Sequence, residues 1–260
     1  MVDMPAYLER IGYDGDLSPG PALLDAIHLG HATHIPFENL DILLGRAIRV
    51  DLDSIQGKLV YGRRGGYCFE HNLLLAAVLE ELGFRVTMLA ARVRIGSDRM
   101  RARTHMLLMV NLGGEQRLAD VGFGAKGFLK PLPFQPGKTF RRFHWAYRIV
   151  EDGGIWVLQT REEDGWIDLY AFSLEPQYGI DYKVANYYVS THPDSQFTKG
   201  IIVQQPTPEA RYSLLNLDFS VDRGTSVTTR TLGDPAELLC VLEDVFGLEF
   251  PAGARFRFAL

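Results

Sequence analysis

The sequence predicts an α+β protein in three regions: an N-terminal helical bundle over residues 1–84, a central antiparallel β-barrel over 85–189, and a C-terminal α/β lid over 190–260. Three observations carry this reading. Apolar residues in the first region recur at helical spacing. The middle region is a series of strand-like runs cut by turn clusters. The last mixes short strand runs with one helix whose two ends are both marked. With 260 residues, 47% of them hydrophobic, the chain can bury a core and build one to three compact units.

In chain order, residues 21–32 carry Leu23, Leu24, Ile27 and His31 on one helical face, with Ser18-Pro19 as a start signal. A second helical segment follows Asp53. The apolar run over 73–82 is too long for an ordinary strand and stops at Gly83, so it reads as a helix. From 84 onward the turn clusters at 111–114, 151–154 and 163–165 are those of antiparallel hairpins, which predicts a small barrel or a curled sheet. Strand runs follow at 200–204 and 226–231. The last helix has Asp234 as N-cap, Pro235 at its first position, an apolar face of Leu238, Leu239, Leu242, Val245 and Phe246, and a stop at Gly247. No internal repeat, low-complexity tract or flexible linker interrupts this order.

The chemistry concentrates in Arg63-Arg64-Gly65-Gly66-Tyr67-Cys68-Phe69-Glu70-His71-Asn72. This stretch sets Cys68 in the first turn of the helix that ends at Gly83. Unpaired N–H groups and the positive end of the helix dipole favour a thiolate there, and the thiolate is the reactive form of cysteine. A buried cysteine acting as a small hydrophobe is the competing reading. Downstream, the runs 104–110 and 115–121 flank Asn111-Leu112-Gly113-Gly114 and predict a hairpin. A turn symmetric about Leu112 and Gly113 sets His105 directly opposite Asp120, with Cβ atoms about 4.5–5.5 Å apart. A carboxylate so placed fixes the imidazole tautomer and aims the second nitrogen at a nucleophile. A register slip of one residue would put the two on opposite faces. Cys68, His105 and Asp120 together form the recipe for an activated nucleophile.

Several classes are excluded. A net charge of -5 and a pI near 5.8 argue against a nucleic-acid or acidic-membrane surface. Two cysteines, Cys68 and Cys240, do not make a disulfide scaffold and point to a reducing, cytoplasmic setting. Asp3 and Glu9 do not fit a signal peptide, and no apolar span is long enough for a bilayer. Residues 122–127 satisfy G-x-G-x-x-G, but no helix follows, so the dinucleotide reading fails on context. The glycines there still allow a ligand close to the backbone. Ser190, His192 and Asp194 are too close in sequence to assemble a triad and read as a polar turn. His28, His31 and His34 lack further ligands at metal spacing, so no metal site is expected. Cys240 lies off the apolar stripe of its helix and reads as structural.

The same residues carry a family resemblance. The blocks Ile35-Pro36-Phe37-Glu38-Asn39-Leu40-Asp41, Arg64-Gly65-Gly66-Tyr67-Cys68-Phe69-Glu70-His71-Asn72, Thr104-His105, Asp120-Val121-Gly122-Phe123-Gly124 and Tyr187-Tyr188-Val189-Ser190-Thr191-His192-Pro193-Asp194-Ser195-Gln196-Phe197 occur in the order found in compact bacterial arylamine N-acetyltransferases, which this chain resembles. The resemblance spans most of the chain to about Gln205 and fades beyond Pro206. It implies a cysteine-protease-like catalytic core in which Cys68 is acetylated, His105 is its base and Asp120 the orienting acid. It further implies an aromatic acceptor pocket, with Phe37, Phe69, Phe123 and Phe197 as candidate wall residues, and a Glu38–Arg64 ion pair.

Acetyl-CoA is then a co-substrate, with no permanently bound cofactor, and the acceptor is a small arylamine or hydrazine. Gly124 is expected beside the acyl donor. Arg101 and Arg103, in a basic loop with Arg94 and Arg99, either attract coenzyme A phosphates or are simply solvated. Two related chemistries stay open, since a cysteine hydrolase uses the same triad and an amide synthase of macrocyclic polyketide assembly resembles the same family. A non-enzymatic binding module has no need of the three residues together.

Overall fold

Capping side chains set the helix starts in a computed structural model that describes residues 1–96 and 99–257. Asp3 accepts from the Ala6 N–H and opens α1 (Met4–Arg10). Helix α2 (Pro21–His34) begins at a proline and buries Leu23, Leu24, Ile27, His28, His31 and Ala32. Its N-cap is Gly20, two residues beyond the expected Ser18, whose hydroxyl bonds to Asp16 instead. After β1 (Phe37–Glu38) and α3 (Leu40–Leu43), α4 (Leu52–Gln56) is capped by Asp51 and runs into a π-helical turn, Gly57–Tyr61. Helix α5 (Cys68–Glu81) starts where Glu70 reaches back to accept the Tyr67 N–H at 3.0 Å. Ten of its fourteen residues are buried, Glu70, His71 and Asn72 among them, as suits a helix enclosed by protein.

Strands β2 (Arg85–Val93), β3 (His105–Leu112), β4 (Glu115–Ala119), β5 (Leu132–Pro133), β6 (Thr139–Arg142), β7 (Trp145–Asp152), β8 (Ile155–Glu162) and β9 (Gly165–Phe172) form one antiparallel sheet. Its order is β5-β4-β3-β2-β9-β8-β7-β6. The two edge strands are neighbours in the chain, so the sheet curls into a nearly closed barrel. Leu107, Met109, Leu118, Tyr147, Ile149 and Tyr170 fill its interior. Met106, Leu108 and Val110 point the other way, into the core shared with α5. Strand β3 is therefore buried on both faces, which explains its unbroken apolar run.

Strand-like pattern was expected to continue to 189, but the barrel strands stop at Phe172 and α6 (Gly179–Thr191) follows. Asp181 accepts from the Tyr178 N–H and seeds that helix, whose inner side buries Tyr182, Asn186 and Val189. A 3₁₀ turn, Gln196–Thr198, leads to β10 (Ile202–Pro206), β11 (Arg211–Leu215), β12 (Asp218–Asp222) and β13 (Val227–Thr231). These form a second sheet whose far edge is β1, with Phe37 paired to Gln204 and Glu38 to Val203. The C-terminal α/β unit thus takes one strand from the N-terminal region. Helix α7 (Pro235–Phe246) has the expected Asp234 cap and a left-handed Gly247, and it buries Leu238, Val241, Leu242 and Phe246. Residues 258–260 of the expected lid lie outside the described residues. Among the described residues no helix is long and apolar enough to cross a membrane.

Candidate active site

Cys68 is the first residue of α5, 3% exposed, on the wall of a cavity of about 570 Å³. Being first in the helix, its N–H has no partner one turn back and is free to meet charge in the cavity. His105, the first residue of β3, lines the same cavity, and the Cys68 side chain is one of the neighbours that favour its charged form. Its Nε2 lies 2.7 Å from Asp120 Oδ2, so Nδ1 is the nitrogen left for the sulfur. The Thr104 carbonyl oxygen is 3.5 Å from Sγ and takes the thiol proton while the cysteine is neutral.

The register that joins His105 to Asp120 differs from the expected one. Leu112 pairs with Glu115 and Leu108 with Ala119, through a turn in which Gly113 and Gly114 both have positive φ. This is the two-residue hairpin turn whose twist suits flanking strands. His105 and Asp120 are therefore diagonal neighbours, offset by two positions, and not directly opposed. An offset of two preserves the face, and diagonal pairs remain within reach of long side chains.

Asp120 sits just past the end of β4 and is held from several sides. Oδ1 accepts from Asn72 Nδ2 at 3.0 Å and from the Gly122 N–H at 2.9 Å, while Oδ2 faces His105. Asn72 also donates to the Met106 carbonyl at 2.7 Å and accepts from the Val121 N–H at 3.2 Å. Burial opposes charge on both partners. For Asp120, the His105 cation and these donors outweigh it, and its carboxyl is held below the usual range. For His105, burial favours the neutral ring, yet the Asp120 carboxylate and Cys68 push it up to about 10. The rings of Phe123 and Tyr170 stand 5.1 and 4.9 Å from it, and their π systems help accommodate an imidazolium.

Phe37, Phe123 and Phe197 line the Cys68 cavity. Phe37 stacks at 6.3 Å on His71 and meets Phe197 at 6.0 Å. Asn39 fixes the far side of this wall, donating to the Phe197 and Gly200 carbonyls and accepting from the Ile202 N–H. Phe69 does not line the cavity. One residue beyond Cys68, it is turned about 100° round the helix and packs between Tyr67 and Tyr182.

Gly124 has φ +82, and a Cβ there would stand 2.1 Å from Gln204 Oε1. The group brought close at Gly124 is thus a protein amide, which also takes the Ala125 N–H. Arg101 lines two clefts that adjoin the Cys68 cavity through shared residues such as Val93, whereas Arg103 pairs with Glu175 at 3.1 Å. Lys126, Glu162, Arg211 and Asp222 make the polar end of the Cys68 cavity, a feature no local motif announces. Ser190 donates to the Asn186 carbonyl, and His192 stacks on Tyr188, both outside that cavity.

Beneath the nucleophile runs a chain of alternating charge. Glu70 pairs with Lys58 at 2.8 Å, Lys58 with Asp41 at 3.1 Å, Asp41 with Arg64 at 3.3 Å, and Arg64 with Glu38 at 2.7 Å. It ties α5 to α3, to the π-helical turn and to the segment before Cys68.

The chain matches the family model described as N-acetyltransferase over residues 22–255. It is 39% identical over 254 residues to the arylamine N-acetyltransferase of Mycolicibacterium smegmatis, covering 95% of this chain and 92% of that protein. The solved structure of the arylamine N-acetyltransferase from M. tuberculosis superposes with a TM-score of 0.91 at 39% identity, covering 95% of this chain and 93% of that one. The Mycobacterium marinum enzyme, solved in complex with CoA, gives 0.90 at 36% identity, covering 94% and 92%.

Proposed function

Because this chain belongs to the arylamine N-acetyltransferase family, we propose that it transfers an acetyl group from acetyl-CoA to an aromatic amine or hydrazine through an acetylated Cys68. The observation that carries the residue assignment is the Cys68–His105–Asp120 arrangement on the wall of an aromatic-lined cavity. In this reading the N-terminal helical unit (1–84) supplies the nucleophile, the barrel unit (85–189) supplies His105 and Asp120, and the α/β lid (190–260) supplies Phe197.

The steps follow from the parts. The Cys68 sulfur attacks the thioester carbonyl of acetyl-CoA, and the free Cys68 N–H stabilises the oxyanion that forms. The carbon–sulfur bond to coenzyme A breaks, and the departing thiolate takes the proton held by His105. One thioester has replaced another, so this half-reaction is close to balanced. The amine then attacks the acetyl-cysteine while His105 removes its proton, and Cys68 leaves as the thiolate, restoring the ion pair. An arylamine is a weak base and reaches the site unprotonated. Phe37, Phe123 and Phe197 hold its flat ring and restrict water. Arg101 lines clefts that adjoin the cavity, and Arg103 follows two residues later in the same basic segment, where positive charge favours the phosphates of the donor.

Mass spectrometry after brief exposure to acetyl-CoA tests this reading. Acetyl should appear on the Cys68 peptide, persist without an acceptor and vanish when an arylamine is added. Rapid release of acetate without amine would instead identify a hydrolase. Labelling confined to Cys240, or no labelling, would overturn the assignment.

A further inference from the structure

His28 is fully buried on α2, and both of its ring nitrogens are engaged. Nδ1 lies 3.1 Å from the Leu129 carbonyl oxygen, which can only accept, so Nδ1 carries the proton. Nε2 is therefore a lone pair, and it receives the Asp120 N–H at 3.1 Å. One face of the ring stacks on Phe128 at 5.5 Å, with the planes 12° apart. Ladder pairing between β3 and β4 ends at Ala119, so the Asp120 amide has already left the sheet when His28 receives it. The carboxylate is anchored by Asn72 and Gly122; the Asp120 amide itself is anchored by this imidazole, and the next amide, that of Val121, by Asn72.

We propose that His28 is a positioning residue for catalysis, its neutral Nδ1–H tautomer holding the Asp120 backbone where the carboxylate can orient His105. The proposal rests on the reading of Cys68, His105 and Asp120 as the catalytic set. Charged and titratable groups that act on His28 are Asp120, Arg142 and His31. Burial keeps the ring neutral, lowering it to about 4, so the acceptor lone pair persists through the neutral range. A leucine at this position fills similar space and accepts nothing. A glutamine offers an amide oxygen to Asp120 and an NH₂ to Leu129.

The test compares His28→Leu and His28→Gln with the wild-type protein by the rate of iodoacetamide alkylation at Cys68 from about pH 6 to about pH 8, since only the thiolate reacts. Peptide mass spectrometry reads the exposed Cys240 of the same molecules as the internal reference. The Leu variant should lose about tenfold in rate at Cys68 at the acid end, because weaker ion pairing with His105 leaves less thiolate. Cys240 should be unmoved and the Gln variant restored. A Leu profile that superposes on wild type overturns the proposal, and so does a Gln variant as slow as Leu. A wild-type Cys68 rate that falls with pH as steeply as that of Cys240 across this range overturns the triad reading and the proposal with it. Should the Leu variant not fold, ¹⁵N-histidine NMR of the wild-type protein decides. An unprotonated Nε2 coupled to the Asp120 amide supports the assignment, and an Nε2–H tautomer overturns it.

Discussion

Gly122 lies with its bare Cα against Cys68. A Cβ at this position would stand 2.7 Å from the Cys68 Cα, 2.9 Å from its carbonyl oxygen and 2.7 Å from Asn72 Nδ2. Two of these three contacts are backbone, which cannot swing aside. Gly122→Ala should therefore push the first turn of α5 away from His105 while leaving the barrel folded. The expected loss is about 100-fold in kcat/KM for acetyl-CoA-dependent acetylation, the scale of an ångström-sized misplacement. Steady-state kinetics beside a circular dichroism melt checks it, and near-normal turnover in a folded variant would contradict it.

Asp120→Asn keeps the shape but offers His105 either an NH₂ or a neutral oxygen in place of a carboxylate. The NH₂ would hold His105 in the wrong tautomer, and neither arrangement stabilises an imidazolium. Single-turnover acetylation of Cys68 should slow by about 10³- to 10⁴-fold, as in other triads stripped of their acid's charge. A wild-type acetylation rate would remove Asp120 from the orienting role.

Stability should peak near neutral pH and fall on both sides for different reasons. Burial lowers His28 and His71 to about 4 and His31 well below its usual value. Between about pH 6.5 and 4 the unfolded chain binds protons that these three rings refuse, so stability drops as pH falls, by several kcal/mol in sum on an order-of-magnitude basis. His105 works in the other direction. Raised to about 10, its contribution is whole below the unfolded value near 6.5 and is lost as pH climbs through 10. Thermal melts from about pH 4 to about pH 10 should show the acid limb as the steeper one. A flat acid limb would mean that the three rings are charged in the fold.

Arg101 and Arg103 should separate in their effect on the donor. Arg103 is already paired with Glu175, whereas the Arg101 side chain forms no ion pair among the described residues. Arg101→Ala should raise the apparent KM for acetyl-CoA about two- to fivefold at low salt, with the difference fading as screening shortens the reach of charge. Arg103→Ala should change it less. Equal and salt-independent effects would point to packing.

Much of this site is legible from sequence because its signals are local. The glycines, the cysteine and the apolar run announce the start of α5, and the cap and stop residues of α7 bound it to the residue. The His105–Asp120 pairing survives a turn misplaced by one residue, because that error shifts the register by two and keeps the face. What stays hidden is what depends on distant segments. His28 reaches Asp120 from 92 residues away. Asn39 spans 158 to reach the Phe197 carbonyl. Phe69 shares a block with the nucleophile but not its direction, since adjacency in a helix rotates a side chain away. The β-branched and tyrosine content of α6 reads as strand, and the Asp181 carboxylate that seeds it is a weak signal against that content.

The alternating chain Glu70–Lys58–Asp41–Arg64–Glu38 has a consequence for how such a sequence can drift. Neutralising Lys58 leaves the buried Glu70 without its ion-pair partner, and neutralising Arg64 does the same to the buried Glu38, which costs more than the pairing itself contributes. Divergence within the Lys58–Glu70 pair, or within the Arg64–Glu38 pair, must then proceed by concerted exchange. Among descendants of this gene, a change in one member of either pair without a change in the other should mark copies no longer under selection.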